Sequence, residues 1–350
     1  MTKPSGPHEV ALRIVALGIC LGLALTSPPA VAQGQLVVYC GVDEEWCRGM
    51  TNSFERKTGI KVAMTRKSAG EIYAQLKAEK DNPRGDIWWG GTGDPHLQAA
   101  EEGLTVEYKS PKLAELQDWA VKQAEQSKYR TVGVYSGALG FGYNSELMAK
   151  RKLEPPKCWA DLLDPKFKDE VQVADPNSSG TSWTMLATIV QLMGEDNGFD
   201  YLKKLHKNIN QYTKSGAAPA KATAQGETLI GIAFQHDLVT MAADGAPVKV
   251  VAPCEGTGYE IGSESLIKGA RNLDNARLFY GWALTPEAQA LAAQFKSYQV
   301  PSNKATPTPP QAPKFADIKF IQYDFAKYGS SAERSRLLAR WDKEVKAQPK

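Results

Sequence analysis

Leu36–Met64 reads LVVYCGVDEEWCRGMTNSFERKTGIKVAM. Leu36-Val37-Val38-Tyr39 is a short apolar run of the kind that forms a buried strand. Asp43, Glu44 and Glu45 put acidic groups at a helix start, where they favour the helix dipole. Trp46, Met50 and Phe54 follow at i, i+4 and i+8, which places them on one apolar face. Thr58-Gly59 stops that helix, and Ile60–Met64 supplies a second strand. The alternation then repeats. Ser68 opens a helix with Glu71 three residues on, the pattern of a capping box, and Ile72 and Leu76 continue on one face. Asp86-Ile87-Trp88-Trp89 is a third strand, which runs into Gly90-Gly91-Thr92-Gly93 and a helix through Leu97 to Glu102. This β-α-β-α-β-α order predicts an α/β fold with a parallel sheet covered by helices on both faces.

The second half carries the same signals. Val132–Tyr135 and Leu139–Tyr143 read as two extended segments, and Trp159–Leu163 as a short helix. Glu170–Ala174 is a strand and Thr181–Met193 a helix; Ile230–Phe234 is a strand, with a helix from about Asp237. Val248–Val251 is another strand, Pro301–Pro313 a Pro/Thr-rich surface loop, and Ala332–Glu344 a last helix. Two α/β halves without an enzyme motif predict a bilobed binding protein. The chain has no Gly-x-Ser-x-Gly elbow, Walker loop or His-Glu-x-x-His pair.

Composition sets the outer limits. With 42% apolar and 23% charged residues among 350, the chain has ordinary globular composition, which excludes disorder as its main state. Ile14–Leu25 is its one long apolar run, preceded by Lys3 and Arg13 and followed by Ala30-Val31-Ala32, a small-x-small cleavage site. The run falls short of the ~20 residues of a membrane-spanning helix. A secretory signal over residues 1–32, cut after Ala32, is the expectation, and with it a periplasmic protein beginning at Gln33. Losing Lys3, Arg13 and Glu9 takes the formal charge from +3 to +2. So even a balance gives no footprint for nucleic acid or an anionic membrane.

Export also bears on the cysteines. Cys40, Cys47, Cys158 and Cys254 remain after the signal, an even number in an oxidising compartment. A short-loop bridge between Cys40 and Cys47 leaves Cys158 with Cys254. Free buried thiols and a four-thiolate zinc site are the alternatives, although no C-x2-C or C-x4-C pair occurs.

Asp175-Pro176-Asn177-Ser178-Ser179-Gly180-Thr181-Ser182 joins a strand to a helix. Unpaired N–H groups at such a helix start favour an anion. Ser178, Ser179 and Thr181 add hydroxyl donors, and Gly180 allows close approach. An ordinary N-cap and turn is the plainer alternative. Lys67-Ser68-Ala69-Gly70 and Gly90-Gly91-Thr92-Gly93 are two similar loops in the first half. In open α/β sheets ligands lie beyond the carboxyl ends of the strands. Together the three loops predict an oxyanion site in a cleft, with Ser68, Gly91 and Thr92 facing the Ser178–Thr181 loop.

Gln235-His236-Asp237 directly follows a strand. His236 and Asp237 suit a metal, an acid–base pair or a sugar hydroxyl, but neighbours at a strand end diverge, which disfavours one shared ion. A helix cap is the alternative for Asp237. Glu260 is a carboxylate in an uncharged extended segment, so a ligand hydroxyl is a reasonable partner, and a surface position is the alternative. Asp43 faces the same region, with helix capping as its main role. Of Trp88 and Trp89 one belongs in a core and the other at the cleft, and Trp89 is included as a cleft residue. His96 and His206 read as solvent-exposed helix residues without partners.

"LVVYCGVDEEW", "FERKTGIKV", "GDIWWGGTGDP", "GALGFGYN", "CWADLLDPKFKDEV" and "ALTPEAQ", in that order, resemble the periplasmic substrate-binding proteins of ABC importers, and specifically their ferric-iron-binding cluster. The likeness runs over nearly the whole exported chain. Iron-binding members imply adjacent tyrosines after the strand ending at Phe234, with a His and a Glu from the first lobe. Here Gln235-His236-Asp237 stands at the tyrosine pair, Asp43 near the His and Gly91 near the Glu. Without phenolates the site does not suit a hard trivalent ion.

A sugar-phosphate branch of the cluster is similar in Ser68, the Ser178–Thr181 loop, His236-Asp237 and Glu260. That resemblance implies that the hydroxyl loops hold a phosphate while His236, Asp237 and Glu260 bind sugar hydroxyls. It implies a type II bilobed binding protein, residues 33–135 and 266–310 forming lobe 1, and 136–265 and 311–350 lobe 2. Two strand crossings near Ser136 and Glu260 form its hinge. The expected role is to capture a hexose phosphate and dock, as a monomer without metal, cofactor or catalysis, on a membrane permease. Pyridoxal phosphate, a phosphonate and ferric iron are the rival ligands.

Overall fold

The computed structural model describes residues 34–350, so the expected signal lies outside the described residues. Ten strands alternate with helices. They are β1 Gln35–Cys40, β2 Lys61–Arg66, β3 Ile87–Thr92, β4 Val132–Asn144, β5 Val171–Ala174, β6 Ile209–Thr213, β7 Ile230–Phe234, β8 Val248–Val251, β9 Tyr259–Leu266 and β10 Val300–Pro301.

β1 lies between β2 and β3 and is parallel to both, as the opening repeat predicts. The sheet as a whole is mixed, not parallel, because β9 runs antiparallel to both β3 and β4. β4 is one strand of 13 residues where the sequence reads as two segments. Gly137 and Ala138, between those segments, stay extended and pair with Glu260 and Tyr259. The first part of β4 pairs with β9 and β10, and the last part with β7 and β8. β5 lies between β6 and β7, parallel to both. Two strand groups therefore share β4, each with its own core.

The core of the first group includes Leu36, Val38, Trp46, Met50, Phe54, Trp89 and Phe279. Trp46, Met50 and Phe54 are all buried on the helix Glu44–Thr58, as their spacing requires. In the second group Phe141, Trp159, Trp183, Ile189, Phe199 and Ile232 form the core, joined by Leu337 and Trp341 of the last α-helix. That helix spans Ser331–Trp341 and continues as a wider turn through Asp342–Lys346. Disulfides join Cys40 to Cys47 and Cys158 to Cys254. Among the described residues no helix is long and apolar enough to cross a membrane.

His96 and His206 are both buried, against their expected exposure. Every residue of Gly93–Ala100 is buried, so no face of this helix is left for solvent. His96 stacks on Trp88 with centroids 3.5 Å apart, and its nitrogens meet Ser265 Oγ at 2.8 Å and the Gly90 carbonyl at 3.3 Å. Burial lowers its pKa to about 3, so it stays neutral. His206 is closed over by the C-terminal tail and bonds Tyr212 Oη at 2.8 Å and the Gln348 carbonyl at 2.9 Å.

Candidate functional site

A cleft of about 490 Å³, its mouth included, opens where the strand ends of the two groups face each other. Six helices begin at its wall: Glu44–Thr58, Ala69–Ala78, Gly93–Glu101, Gly180–Met193, Ala218–Gln225 and Gln235–Ala243. The residues just ahead of them, Asp43, Ser68, Thr92, Ser179, Ala217 and Phe234, all line it. Each helix start carries unpaired N–H groups and about half a positive charge. Converging starts therefore make a field for an anion without a lysine at its centre.

Ser68, Gly91, Thr92, Ser179, Gly180, Thr181, His236, Asp237, Glu260 and Asp43, all expected at the site, line this cleft. Two expected residues do not. Ser178 turns away, its Oγ donating to the carbonyls of Asp175 and Lys214 at 3.3 and 3.1 Å, which closes the turn before the helix. Trp89 is fully buried in the first core, 5.0 Å from Trp46 edge to face, because β3 is covered on both faces.

On the anion side the hydroxyls are held in place. The Glu71 carboxylate accepts from the Ser68 N–H at 3.1 Å, completing the predicted capping box, and Ser68 Oγ donates to the Lys214 carbonyl at 3.1 Å. Ser179 Oγ caps its helix by accepting from the Ser182 N–H at 3.3 Å. Gly90 and Gly91 both have positive φ, 76° and 88°, a conformation that favours glycine. This bend aims the Gly91 N–H at Tyr135 Oη, 2.9 Å away. Thr92 Oγ1 is buried without a partner.

The same cleft is lined by His236, Asp237 and Glu260. His236 Nε2 lies 3.5 Å from Asp237 Oδ1 and 3.9 Å from Glu260 Oε1. Burial lowers the His236 pKa to about 4, partly opposed by Asp43, so the ring is neutral near pH 7. Burial and then Asp43 push the Asp237 carboxyl well above its usual range; Lys221 and Arg66 pull the other way. Glu260 is also pushed well up, first by burial and then by Asp237 and Asp94. His236 Nδ1 is buried with no partner. Asp237 is the third residue of its helix rather than the cap. Asp43 does occupy a cap position, but its side chain makes no cap bond and pairs with Lys221 Nζ at 3.3 Å.

Arg66, Tyr135, Gly216 and Gln299 also line the cleft, and sequence reasoning did not select them. Arg66 ends β2, and its guanidinium donates to the Val42 carbonyl at 2.9 Å and to Ser215 Oγ at 3.3 Å. Its place at a strand's carboxyl end, just before Lys67-Ser68, is the signal that could have found it. Gly216 lies two residues ahead of a helix start, as Gly180 opens one. Tyr135 and Gln299 carry no such local mark.

Comparison with known proteins bears on this geometry. A family model described as bacterial extracellular solute-binding protein matches residues 92–328. An uncharacterised protein of Haemophilus influenzae is 46% identical over 341 residues, which is 97% of this chain and 98% of that one. The periplasmic binding protein AfuA from Actinobacillus pleuropneumoniae, solved with exogenous fructose-6-phosphate bound, is 45% identical. It superposes with a TM-score of 0.88, covering 91% of this chain and all of the other. A periplasmic protein of Salmonella typhimurium whose name assigns it 2-aminoethylphosphonate is 28% identical over 301 residues, 81% of this chain and 83% of its own.

Proposed function

This chain belongs to the bacterial extracellular solute-binding proteins, and from that premise we propose that its cleft captures a hexose phosphate for an ABC importer. The observation that carries the reading is the division of one cleft into two chemistries. Helix starts with Ser68, Ser179, Gly180 and Thr181 share the cleft lining with the cluster His236, Asp237 and Glu260. A phosphate monoester satisfies the first set through backbone N–H and hydroxyl donors, with Arg66 at its edge. Sugar hydroxyls satisfy the second, donating to the carboxyl oxygens of Asp237 and Glu260 beside His236 Nε2. AfuA, similar over nearly all of this chain, was solved with fructose-6-phosphate bound, which supports the same class here.

In this reading the lobes are residues 33–135 with 266–310, and 136–265 with 311–350, hinged where β4 and β9 cross. The protein works in the periplasm as a monomer, its signal removed after Ala32, and delivers the closed complex to an inner-membrane permease. No bond is made or broken. A phosphonate is the second reading. The relative named for 2-aminoethylphosphonate favours it, and Asp43, Asp237 and Glu260 would offset an ammonium group. Ferric iron fits poorly. Tyr135 is the one tyrosine on the cleft wall among the described residues, and burial and then Glu260 push its hydroxyl well above the usual range.

Calorimetric titration of the ligand-stripped protein tests the proposal. Fructose 6-phosphate and glucose 6-phosphate are compared with fructose, inorganic phosphate, 2-aminoethylphosphonate and ferric citrate. Tight binding of a sugar phosphate with weak binding of the free sugar is the expected result. Preference for the phosphonate or for iron, or no response to either sugar phosphate, overturns it.

A further inference from the structure

We infer that the first lobe holds a second binding site, separate from the cleft, for a small neutral aromatic molecule bearing one polar substituent. A cavity of about 740 Å³, mouth included, lies between the helices Glu44–Thr58 and Pro286–Gln294, strands β3 and β4, and the loop Thr306–Pro310. Measured in the same way, the cleft is about 490 Å³. Protein interiors are normally packed to crystal density, so an apolar recess running from the surface down to a lobe core is a feature to explain.

The lining says what would fill it. None of its residues carries a formal charge, which excludes an ion. Trp46, Trp89, Met50, Val134, Ala288 and Ala292 form its buried apolar floor, and Ala290, Ala293, Pro307 and Pro310 its exposed apolar rim. Four lining residues also hold a buried polar atom that has no partner: Trp46 Nε1, Trp89 Nε1, Gln299 Oε1 and Thr306 Oγ1. All four side chains are more than nine-tenths buried. Buried polar atoms are normally paired. An occupant with a hydroxyl can accept from an indole N–H and donate to the Gln299 oxygen while its ring rests on the apolar walls.

Two features keep the space from collapsing. Alanines at 283, 288, 290, 292 and 293 present only methyl groups to it. Its cover contains Pro307, Pro309 and Pro310, whose fixed backbone angles stop the loop from sagging inward. The part of the recess open to a water molecule is about 210 Å³, and a dry apolar cavity of about 150 Å³ suffices to bind benzene or xenon elsewhere. Trp46, Tyr135 and Gln299 line both the cavity and the cleft and so form the wall between them. This second site does not depend on the identity of the cleft ligand.

Fluorine NMR with 4-fluorophenol as the probe tests the inference on the intact exported protein. A ligand of about eight heavy atoms in a good site binds at roughly 1 mM or tighter, so saturable one-to-one binding is expected in that range. Ala292→Leu fills the cavity from a residue outside the cleft. It should weaken the probe at least about tenfold and raise the melting temperature, as cavity filling does. Its affinity for fructose 6-phosphate should stay within about twofold, since Ala292 does not touch the cleft. Should that variant fail to fold, xenon-pressurised crystals of the unaltered protein provide the reading, with density expected beside Trp89. Absence of saturation, full binding by the filled variant, or no xenon in the cavity overturns the proposal.

Discussion

Asp237 carries the sharpest consequence of the proposed chemistry. Its carboxyl is almost wholly buried beside His236, and a sugar hydroxyl would be its natural partner in the closed cleft. Removing a buried hydrogen-bond acceptor and leaving its partner unsatisfied costs about 1–3 kcal/mol. Asp237→Ala should therefore weaken sugar-phosphate binding roughly ten- to a hundredfold by calorimetry; unchanged affinity would remove Asp237 from the hydroxyl-binding role. Glu264 makes a different prediction. It is fully buried in β9 opposite Trp89, and neither carboxylate oxygen has a partner. Burial pushes its pKa well above the usual carboxylate range. The folded protein thus keeps a proton that the unfolded chain releases near pH ~4.3. Between that pH and the raised folded value the native state binds more protons, so stability falls as pH rises, by at most about 1.4 kcal/mol per pH unit. Glu264→Gln should flatten the decline of the urea midpoint above about pH 5. An identical slope in both proteins would show that Glu264 does not titrate there. His96 and His206 are among the residues the sequence misled on, and Glu264 among those it left silent. Nothing local marks burial for a lone polar residue on a helix or strand; it follows from what the rest of the chain packs over it.

The helix starts were legible because their signals are local. Ser68 with Glu71, and Ser179 ahead of a long apolar helix, are cap patterns with a mechanism, and both caps form. Ser178 and Ser179 are adjacent and chemically alike, yet only Ser179 reaches the cleft, because the turn from Asp175 spends the Ser178 hydroxyl on carbonyls. A sequence pattern cannot separate them. The break expected between Val132–Tyr135 and Leu139–Tyr143 also failed to appear: pairing with β9 overrides the low strand preference of Gly137. Where two elements meet, Gly180 is decisive. A Cβ there would stand 1.8 Å from Thr92 Oγ1, on the facing strand end. Gly180→Ala should hold the two helix starts apart and weaken ligand binding at least about tenfold, a loss of roughly 1.4 kcal/mol. Its melting temperature without ligand should change little, since alanine suits the first turn of a helix. Thr92→Ala in the same chain should restore part of the affinity, because it removes the hydroxyl in the way. Affinities that simply add across the double mutant would mean the clash is not what matters.

The two disulfides constrain the molecule over different distances. Cys40–Cys47 closes 7 residues and Cys158–Cys254 closes 96. By chain entropy the longer loop is worth about 4–5 kcal/mol and the shorter about 2–3. Replacing Cys158 and Cys254 with serine should therefore lower the urea midpoint more than replacing Cys40 and Cys47; the reverse order would point to native-state contacts instead. Closure of the lobes rests on much weaker terms. Lys221 pairs with Asp43, Arg66 donates to Ser215 Oγ and Ser68 donates to the Lys214 carbonyl, each joining a first-group residue to a second-group residue. Lys221 and Asp43 are partly exposed, and such a pair is worth under about 1 kcal/mol. Moving a population from 1:99 open to 99:1 closed needs about 5.5 kcal/mol of differential binding. One exposed pair falls far short of that, whereas a ligand held between Ser68, Gly91 and Arg66 of one lobe and Ser179, Asp237 and Glu260 of the other bridges the two only when they are closed. Fructose 6-phosphate should therefore shrink the radius of gyration in solution scattering, and free fructose or phosphate alone should not. Lys221→Met should leave the liganded radius unchanged and alter affinity by less than about fivefold, the worth of one exposed pair. A compact radius before any ligand is added would mean the closed form is held by the protein itself, and capture would then require an opening step that these contacts oppose.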